Sequence, residues 1–281
     1  MWLVLSIIAA LMFTAQNLLM RVLAVKSVHP RTFSFVFNGW GTFFATILLL
    51  IERPSLAGLP QFSWIQVLLI IGATLGYGFY ERTHFLARKE LDASTTAILF
   101  RLTPVITFVG AMLFLHESFT ITKLVGATIL IGASLVVVHK NPKLQASRAV
   151  WIAVFAAVML GLAGVFDKPA SQGIPANLYS VALWGLSLII VAFPTISLSQ
   201  LKTEFIIGGW KVALTALLNV IGFVFYVQAL SLADASLVAP VTSSSGTLTV
   251  LAGIFILKEK SFVKRKILAG ILMVIGVIML R

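Results

Sequence analysis

The sequence predicts an all-α integral membrane protein of ten transmembrane helices, arranged as two inverted repeats of five helices. Three observations support this fold class: the composition, the length of the apolar segments, and an internal repeat. Of 281 residues, 59% are hydrophobic and 11% are charged, which is more apolar material than a water-soluble domain of this size uses. The chain contains no cysteine, so disulfides and cysteine-ligated metals are excluded.

Ten apolar segments are long enough to cross a bilayer as helices. A hydrocarbon core about 30 Å thick requires about 20 helical residues, and backbone polar groups in lipid must be paired within the segment. We predict spans over residues 2–20, 32–51, 64–86, 93–115, 121–138, 149–166, 176–193, 210–230, 235–256 and 264–280. The first segment has no basic stretch ahead of it and no cleavage motif, so we expect it to be retained as a span.

The two halves of the chain share a sequence pattern. Residues 91–117 align with residues 233–259 at a constant offset of 142. The matched residues are Asp92 and Asp234, Ala93 and Ala235, Ser94 and Ser236, Glu117 and Glu259, and then the glycine pairs Gly126–Gly132 and Gly270–Gly276. Because each half holds five spans, an odd number, the halves must cross the membrane in opposite orientations. We divide the chain into a first repeat, residues 1–145, and a second repeat, residues 146–281.

These features resemble the drug/metabolite transporter superfamily, and within it the EamA-type transporters. The resemblance rests on the ten spans, the duplicated five-helix unit, and an Ala-Ser pair followed 23 residues later by glutamate. Asn17 and Arg21 stand where the family often has asparagine and a basic residue, whereas Phe13 replaces its usual tryptophan and Asn38 its arginine. The resemblance implies export or exchange of amino acids and other small metabolites by alternating access, with both termini in the cytoplasm.

The sequence contains no motif for catalysis or nucleotide hydrolysis. It has no phosphate-binding loop, no HExxH zinc motif and no Gly-x-Ser-x-Gly elbow. We therefore predict that the protein is not an enzyme, holds no cofactor or metal, and moves solutes along gradients. The net charge of +12 lies mainly in the loops, where basic residues set orientation and contact lipid head groups; nucleic acid is not an expected partner.

Polar residues near the membrane centre are the candidates for solute binding. Inverted repeats bind solutes near the midplane, where small or proline-interrupted segments let the backbone face a cavity. Ser243, Ser244 and Ser245 lie about 12–15 Å into the ninth span, between Pro240 and Gly246. The other candidates are Asn219 and Tyr226 of the eighth span, Thr103 and Thr107 of the fourth, Tyr77 of the third and Asn17 of the first. Alternatively, such hydroxyls bond their own helix or join neighbouring helices.

Three ionisable residues lie deeper than a loop would place them. Glu81 and Arg101 lie about 5 Å and 9 Å from the same membrane face, and we expect them to pair, since a lone charge in hydrocarbon is costly. By the repeat offset, Arg101 corresponds to Ser243 and His84 to Tyr226. We predict that Glu81, His84 and Arg101 line the mouth of a central cavity as gating or proton-coupling groups; the alternative is an anchoring role at the interface.

Several charged residues fall at predicted helix ends. For Glu117 and Glu259 we expect a role in capping a turn or anchoring a loop. For Asp167 and Lys168, which precede Pro169, we expect a solvated helix end; the alternative is a gating ion pair.

The distribution of Lys and Arg gives an orientation that conflicts with the resemblance. We call face A the membrane face that carries the loops after odd-numbered spans. Fifteen Lys and Arg residues lie on it, against four on the opposite face, Arg53, Lys123, Lys168 and Arg281. The positive-inside rule therefore places face A in the cytoplasm and both termini outside, which is the opposite of the orientation that the resemblance implies.

Together these observations predict a secondary transporter in the inner or plasma membrane, working as a monomer or homodimer. It would export or exchange small polar metabolites, such as amino acids, related zwitterions or organic anions, by alternating access through a cavity between the repeats, with a proton as a candidate coupling ion. One alternative is efflux of drugs or lipophilic cations, which suits the abundant aromatic residues. Another is a membrane-embedded transferase on a lipid substrate, with Glu81 and His84 as acid and base.

Overall fold

The structure, a computed structural model, describes residues 1–53, 63–114, 120–138, 147–233, 235–260 and 262–279. This part of the chain contains eleven α-helices and no strand, which confirms the all-α prediction. The helices are α1 (Trp2–Lys26), α2 (Pro30–Glu52), α3 (Trp64–Glu90), α4 (Ala93–Leu99), α5 (Leu102–Phe114), α6 (Ile121–Val138), α7 (Arg148–Ser171), α8 (Ala176–Ala192), α9 (Leu198–Leu232), α10 (Ala235–Phe255) and α11 (Val263–Met279).

The count is eleven because the fourth predicted span, 93–115, is broken into α4 and α5. Pro104 has no amide proton to donate to the carbonyl of Phe100, and its ring crowds that carbonyl. The Phe100 carbonyl instead accepts the Thr103 amide at 3.1 Å, and the Arg101 amide turns to the Ile98 carbonyl at 3.0 Å. These tighter bonds interrupt the α-helical pattern and place Arg101 in the turn between the two helices.

Helix α9 also contains a break, which matches a predicted boundary. Gly209 has φ 49° and ψ −147°, a conformation that glycine adopts much more readily than other residues. The eighth span was predicted to begin at residue 210. The segment before Gly209 thus precedes the membrane-crossing part of α9.

The helix contacts follow the two-repeat organisation. Under the repeat, α1, α2 and α3 of the first half correspond to α7, α8 and α9 of the second half, and α4 and α5 together correspond to α10. The α3–α7 contact then has the α9–α1 contact as its counterpart, and the α5–α7 contact has the α10–α1 contact. All four contacts are present, and α2 packs on α8 and α6 on α11. The boundary between repeats 1–145 and 146–281 stays a prediction, because residues 139–146 lie outside the described part.

Four described helices are long and apolar enough by themselves to cross a membrane. They are Trp2–Lys26, Pro30–Glu52, Arg148–Asp167 and Leu198–Leu232, and three shorter helical stretches are apolar as well. Large apolar side chains are exposed on the outer faces of the helices, among them Val4, Phe43, Leu68 and Ile189. In an integral membrane protein such a surface is covered by lipid acyl chains.

Close helix contacts depend on small residues. At the crossing of α3 and α7, a Cβ on Gly76 would lie 2.8 Å from the Met159 carbonyl oxygen and 2.9 Å from the Ala163 Cβ. Small residues at such crossings allow two backbones to approach closely in the absence of a hydrophobic driving force between helices. This crossing fixes Tyr77, the next residue of α3, against the face of α7.

Candidate functional site

Arg101 extends from the α4–α5 break toward α10, in the other repeat. Its guanidinium lies directly on Gly246, where any side chain would collide with it. The Nε atom is buried without a hydrogen-bond partner, and no ion pair to this guanidinium occurs among the described residues. Gly246 lies eleven residues into α10, about 16 Å along the helix axis. A positive charge without an ion pair among the described residues therefore lies between the repeats, about halfway along α10.

The predicted serines surround this position to different degrees. Ser245 is buried beside Gly246, and its carbonyl lies 3.3 Å from the Thr14 hydroxyl of α1. Ser244 donates its hydroxyl to the Val241 carbonyl at 2.7 Å, so it bonds its own helix, as the alternative interpretation expected. The side chain of Ser243 lies outside the described residues. Solute binding by these serines stays a prediction.

The predicted threonines join α5 to α7. Thr103 donates to the Ala157 carbonyl at 3.2 Å, and Thr107 donates to the Gly161 carbonyl at 3.0 Å. Both hydroxyls are therefore engaged between helices in this conformation. Asn219 of α9 is half-buried.

Glu81, His84 and Arg88 form a hydrogen-bonded row on the inner face of α3. The Glu81 Oε2 atom lies 2.9 Å from His84 Nε2, and Arg88 Nε donates to His84 Nδ1 at 3.3 Å. Because a guanidinium can only donate, Nδ1 is the acceptor and the imidazole proton lies on Nε2. A neutral His84 thus connects a negative and a positive side chain, and we call these three residues the α3 row.

Asparagines hold both ends of the α3 row. Asn38 of α2 donates to Glu81 Oε2 at 2.8 Å, and Asn17 of α1 accepts from Arg88 Nη2 at 2.9 Å. Asn38, which stands where the family often has arginine, is therefore a direct partner of Glu81. The row joins α3 to the two preceding helices.

The expected ion pair between Glu81 and Arg101 is wrong. The two residues have similar depth, but Glu81 faces Asn38 on α2, whereas Arg101 turns toward α10. The depth of each residue can be counted from the sequence, but the direction of the Arg101 side chain is set by the turn between α4 and α5 in which Arg101 lies. His84, not Arg101, is the partner of Glu81.

Asp167 is held between two tyrosines. Tyr77 of α3 donates to Asp167 Oδ2 at 2.5 Å, and Tyr179 of α8 donates to Oδ1 at 2.8 Å. The ring of Phe223, from α9, lies 6.2 Å from that of Tyr77 and 6.5 Å from that of Tyr179, and Tyr226 is next to it. Tyr77, a predicted residue, thus bonds a carboxylate that was not among the predicted binding residues, and Tyr226, another predicted residue, lies against the same Phe223 ring.

The expected solvated helix end at Asp167 is wrong. Helix α7 continues past Pro169 to Ser171, and Asp167 is 4% exposed. Proline is tolerated in membrane helices because neighbours satisfy the backbone groups it frees. An acidic residue at the end of an apolar segment, with tyrosines in two other spans, was the available signal, but no spacing rule connects α3, α7 and α8.

Polar contacts at face A connect the loop after α1 to later helices. Arg21 donates to the carbonyls of Arg88 and Lys89, in the latter case at 2.7 Å, and Lys89 donates to the Ser27 carbonyl at 2.7 Å. Glu204 of α9 accepts the backbone amide of Val28 at 2.9 Å. These contacts hold the ends of α1, α3 and α9 together.

A second set of contacts at face A connects the two repeats. Glu259 accepts the Ala93 amide at 2.7 Å and the Ser94 amide at 3.3 Å, which caps the start of α4. Lys266 of α11 lies 3.0 Å from Asp92 and 3.1 Å from Glu259. We call Asp92, Ser94, Glu259 and Lys266 the face-A latch. The capping role expected for Glu259 is confirmed; Glu117 lies outside the described residues.

An all-helical membrane fold in two related halves, with uncompensated polar groups buried between them, is that of a membrane transporter of small solutes. The sequence profile of the EamA-like transporter family matches residues 1–139 and 147–281. The chain belongs to the EamA-like transporter family.

The fold itself is shared with known structures. One solved structure, titled "Crystal structure of protein", is 15% identical, with a TM-score of 0.60, and the match covers 99% of this chain and 95% of the other. At this identity the similarity supports the fold alone. No curated protein matches the sequence.

Proposed function

We propose that this protein is a secondary transporter that exports or exchanges small carboxylate-bearing metabolites, amino acids foremost, by alternating access between its two repeats. The single observation that carries the proposal is the uncompensated guanidinium of Arg101. The family membership supports transport of a small solute, and Arg101 supports the class of solute.

A carboxylate is the group that best complements Arg101. The planar guanidinium binds carboxylates with two parallel hydrogen bonds. A charged side chain at the centre of a membrane helix costs about 2.5–3.5 kcal/mol on insertion scales, and a bound anion would offset that cost. Arg101 also directly precedes α5, whose amino end carries a partial positive charge. Both features favour a negative group between the repeats.

Alternating access is supported by the symmetry of the contacts and by the face-A latch. Each of these contacts between the halves has a counterpart when the two halves are interchanged, as expected where two repeats rock about a fixed site. The latch connects Glu259 and Lys266 of the second repeat to Asp92 and Ser94 of the first. A solute leaving through face A requires these contacts to separate.

Proton coupling is proposed to act through the α3 row. A proton added at His84 Nδ1 would place two positive groups side by side and break the hydrogen bond from Arg88. Arg88 holds Asn17 of α1, so the α1–α3 contact would loosen. We place the protein in the inner or plasma membrane, as a monomer or homodimer among lipids; its orientation stays open between the Lys/Arg count and the resemblance.

The test is uptake of a radiolabelled amino acid mixture by liposomes that contain the purified protein. We expect Arg101→Gln to reduce uptake at least about tenfold, since a lost charge pair is worth 1.4 kcal/mol or more, and Arg101→Lys to restore part of it. Lys211→Gln, at an exposed position, is the matched control. Unchanged uptake in Arg101→Gln, or no uptake of any carboxylate-bearing solute by the natural chain, would contradict the proposal.

One observation favours a second candidate, efflux of lipophilic cations. Asp167 is a buried carboxylate beside the aromatic rings of Tyr77, Tyr179 and Phe223, and aromatic faces attract organic cations. Competition for uptake between tetraphenylphosphonium and an amino acid mixture separates the two candidates. No observation favours the transferase alternative, since the family to which the chain belongs is one of transporters.

A further inference from the structure

We propose that Asp167, Tyr77 and Tyr179 form a binding site for a primary ammonium, so that the transported solute carries a carboxylate at one end and an ammonium several carbons away. Basic amino acids are the class with this chemistry. The inference rests on the proposed function, because Arg101 supplies the carboxylate end. Asp167 is the proposed partner of the ammonium end of the solute.

The partners of Asp167 distinguish it from the other buried acidic residues of the described chain. Glu259 lies 3.1 Å from Lys266, Glu81 is joined through the α3 row to an arginine, and Glu204 accepts backbone amides at a loop. Among the described side chains, Asp167 accepts hydrogen bonds only from two neutral tyrosine hydroxyls. A carboxylate buried in a membrane helix without a cation is costly and marks a functional position. We therefore assign the cationic group of the solute to Asp167.

The surroundings of Asp167 fit an ammonium. Each of its oxygens accepts one tyrosine hydroxyl and keeps a further lone pair, and an ammonium has three N–H donors. The two tyrosines fix the carboxylate from opposite oxygens. Phe223 stacks on Tyr179 at an interplanar angle of 20° and meets Tyr77 edge-on, which provides aromatic faces of the kind that bind ammonium groups.

The distance between Arg101 and Asp167 selects the length of the solute. Thr103, two residues after Arg101, donates to the Ala157 carbonyl, and Thr107 donates to the Gly161 carbonyl. Asp167 follows Ala157 by ten residues, so it lies about 15 Å further along α7 than the level of Thr103. The ammonium and carboxylate on one α-carbon are too close together to reach both groups. The Arg101 side chain and a contact of about 3 Å at each end of the solute cover part of this distance, and a side-chain ammonium on a chain of several carbons covers the rest.

Three probes isolate the two charged ends. L-Lysine carries both, L-norleucine has the same carbon chain without the terminal ammonium, and cadaverine has the chain and both amines without the carboxylate. Affinities are measured with the full chain purified in detergent, from the concentration dependence of its thermal stability. We expect lysine to bind at least about tenfold more tightly than either analogue.

The variants assign each end to its residue. Asp167→Asn should lower lysine affinity about tenfold, to the norleucine level, and leave norleucine affinity unchanged. Arg101→Gln should weaken lysine and norleucine but not cadaverine. Tyr77→Phe keeps the ring and removes one hydroxyl, and should reduce the preference for lysine over norleucine severalfold. Glu90→Gln, at the exposed end of α3, is the control.

The outcomes that overturn the proposal are distinct from failure of the proposed function. If the natural chain binds lysine no more tightly than norleucine, or if Asp167→Asn keeps the lysine preference, the ammonium site is wrong, even where amino acid uptake still depends on Arg101. The site is equally wrong if Asp167→Asn alters only the pH dependence of norleucine uptake. If Asp167→Asn does not fold, the lysine–norleucine comparison in the natural chain and in Tyr77→Phe decides.

Discussion

His84 illustrates how neighbours determine the state of a single residue in this protein. Its ring stacks on Tyr80 with centroids 4.6 Å apart, and its two nitrogens contact Glu81 and Arg88. The imidazole is neutral because one neighbour requires a donor and the other an acceptor. The α3 row is therefore electrically balanced, and a change at any member leaves a buried charge without its partner.

Glu81→Gln tests whether this balance couples transport to protons. The amide can still accept from Asn38, but it removes the negative end of the row. We expect uptake into liposomes to lose its dependence on an imposed pH gradient, while exchange without a gradient continues. Glu90→Gln, at an exposed position, is the control. If uptake by Glu81→Gln still follows the pH gradient, coupling does not act through this residue.

Among the elements, the predicted spans match the helices well, while the breaks do not all follow from the sequence. The third span was predicted over 64–86 and α3 is Trp64–Glu90; the seventh was predicted over 176–193 and α8 is Ala176–Ala192. The apolar length of a span is a local property. Whether Pro104 kinks or breaks its helix depends on which groups satisfy the freed carbonyl of Phe100, and that is a matter of tertiary structure.

The same distinction between local properties and tertiary contacts applies to the candidate site. The depth of Arg101, Glu81 and Ser245 could be counted along the chain, because helical rise is constant. The hydrogen-bond partners of these residues could not be predicted in this way, because packing between helices sets the rotation of each helix about its axis. Asp167 and Tyr179 were missed for this reason: they belong to different helices and meet only through the α3–α7 and α3–α8 contacts.

Helix packing predicts opposite effects for two glycines. Gly76→Ala places a methyl group against the Met159 carbonyl of α7, whereas Gly39→Ala meets no atom within 4 Å. We expect Gly76→Ala to destabilise the protein by about 1–3 kcal/mol and to weaken the Tyr77–Asp167 contact. Gly39→Ala should be neutral or stabilise it by up to about 1 kcal/mol. Thermal unfolding in detergent measures both, and equal effects would contradict this account of the crossing.

We expect Pro104→Ala to join α4 and α5 into one continuous helix. The new amide can donate to the Phe100 carbonyl, which removes the penalty of about 3 kcal/mol that proline carries in a helix interior. We expect higher thermal stability together with at least about tenfold weaker binding of amino acids, because Arg101 would rotate away from Gly246. If stability rises and binding is unchanged, the break does not position Arg101.

For the whole molecule, the latch and the loop contacts join helix ends at face A in this conformation. They join α4 to α11, and the loop after α1 to α3 and α9. Transport by alternating access requires a second conformation in which these contacts separate. The relative population of the two conformations should therefore respond to changes in the latch.

Glu259→Gln weakens the latch, because it removes the charge that faces Lys266. Since the chain has no cysteine, a single Thr14→Cys substitution provides a probe beside Ser245. We expect Glu259→Gln to increase the rate at which a membrane-impermeant maleimide labels this probe from face A by severalfold. Glu90→Gln, exposed at the same face, serves as control. An unchanged rate would show that the latch does not control access.

The latch also has a consequence for biosynthesis. The Ala93 and Ser94 amides that Glu259 caps are made 165 or more residues before it. While the ribosome still holds the second half of the chain, the amino end of α4 has no such acceptor and must stay hydrated at the membrane surface. Insertion of α10 and α11 supplies Glu259 and Lys266 together, so the amino end of α4 gains its cap only after the second repeat has entered the membrane.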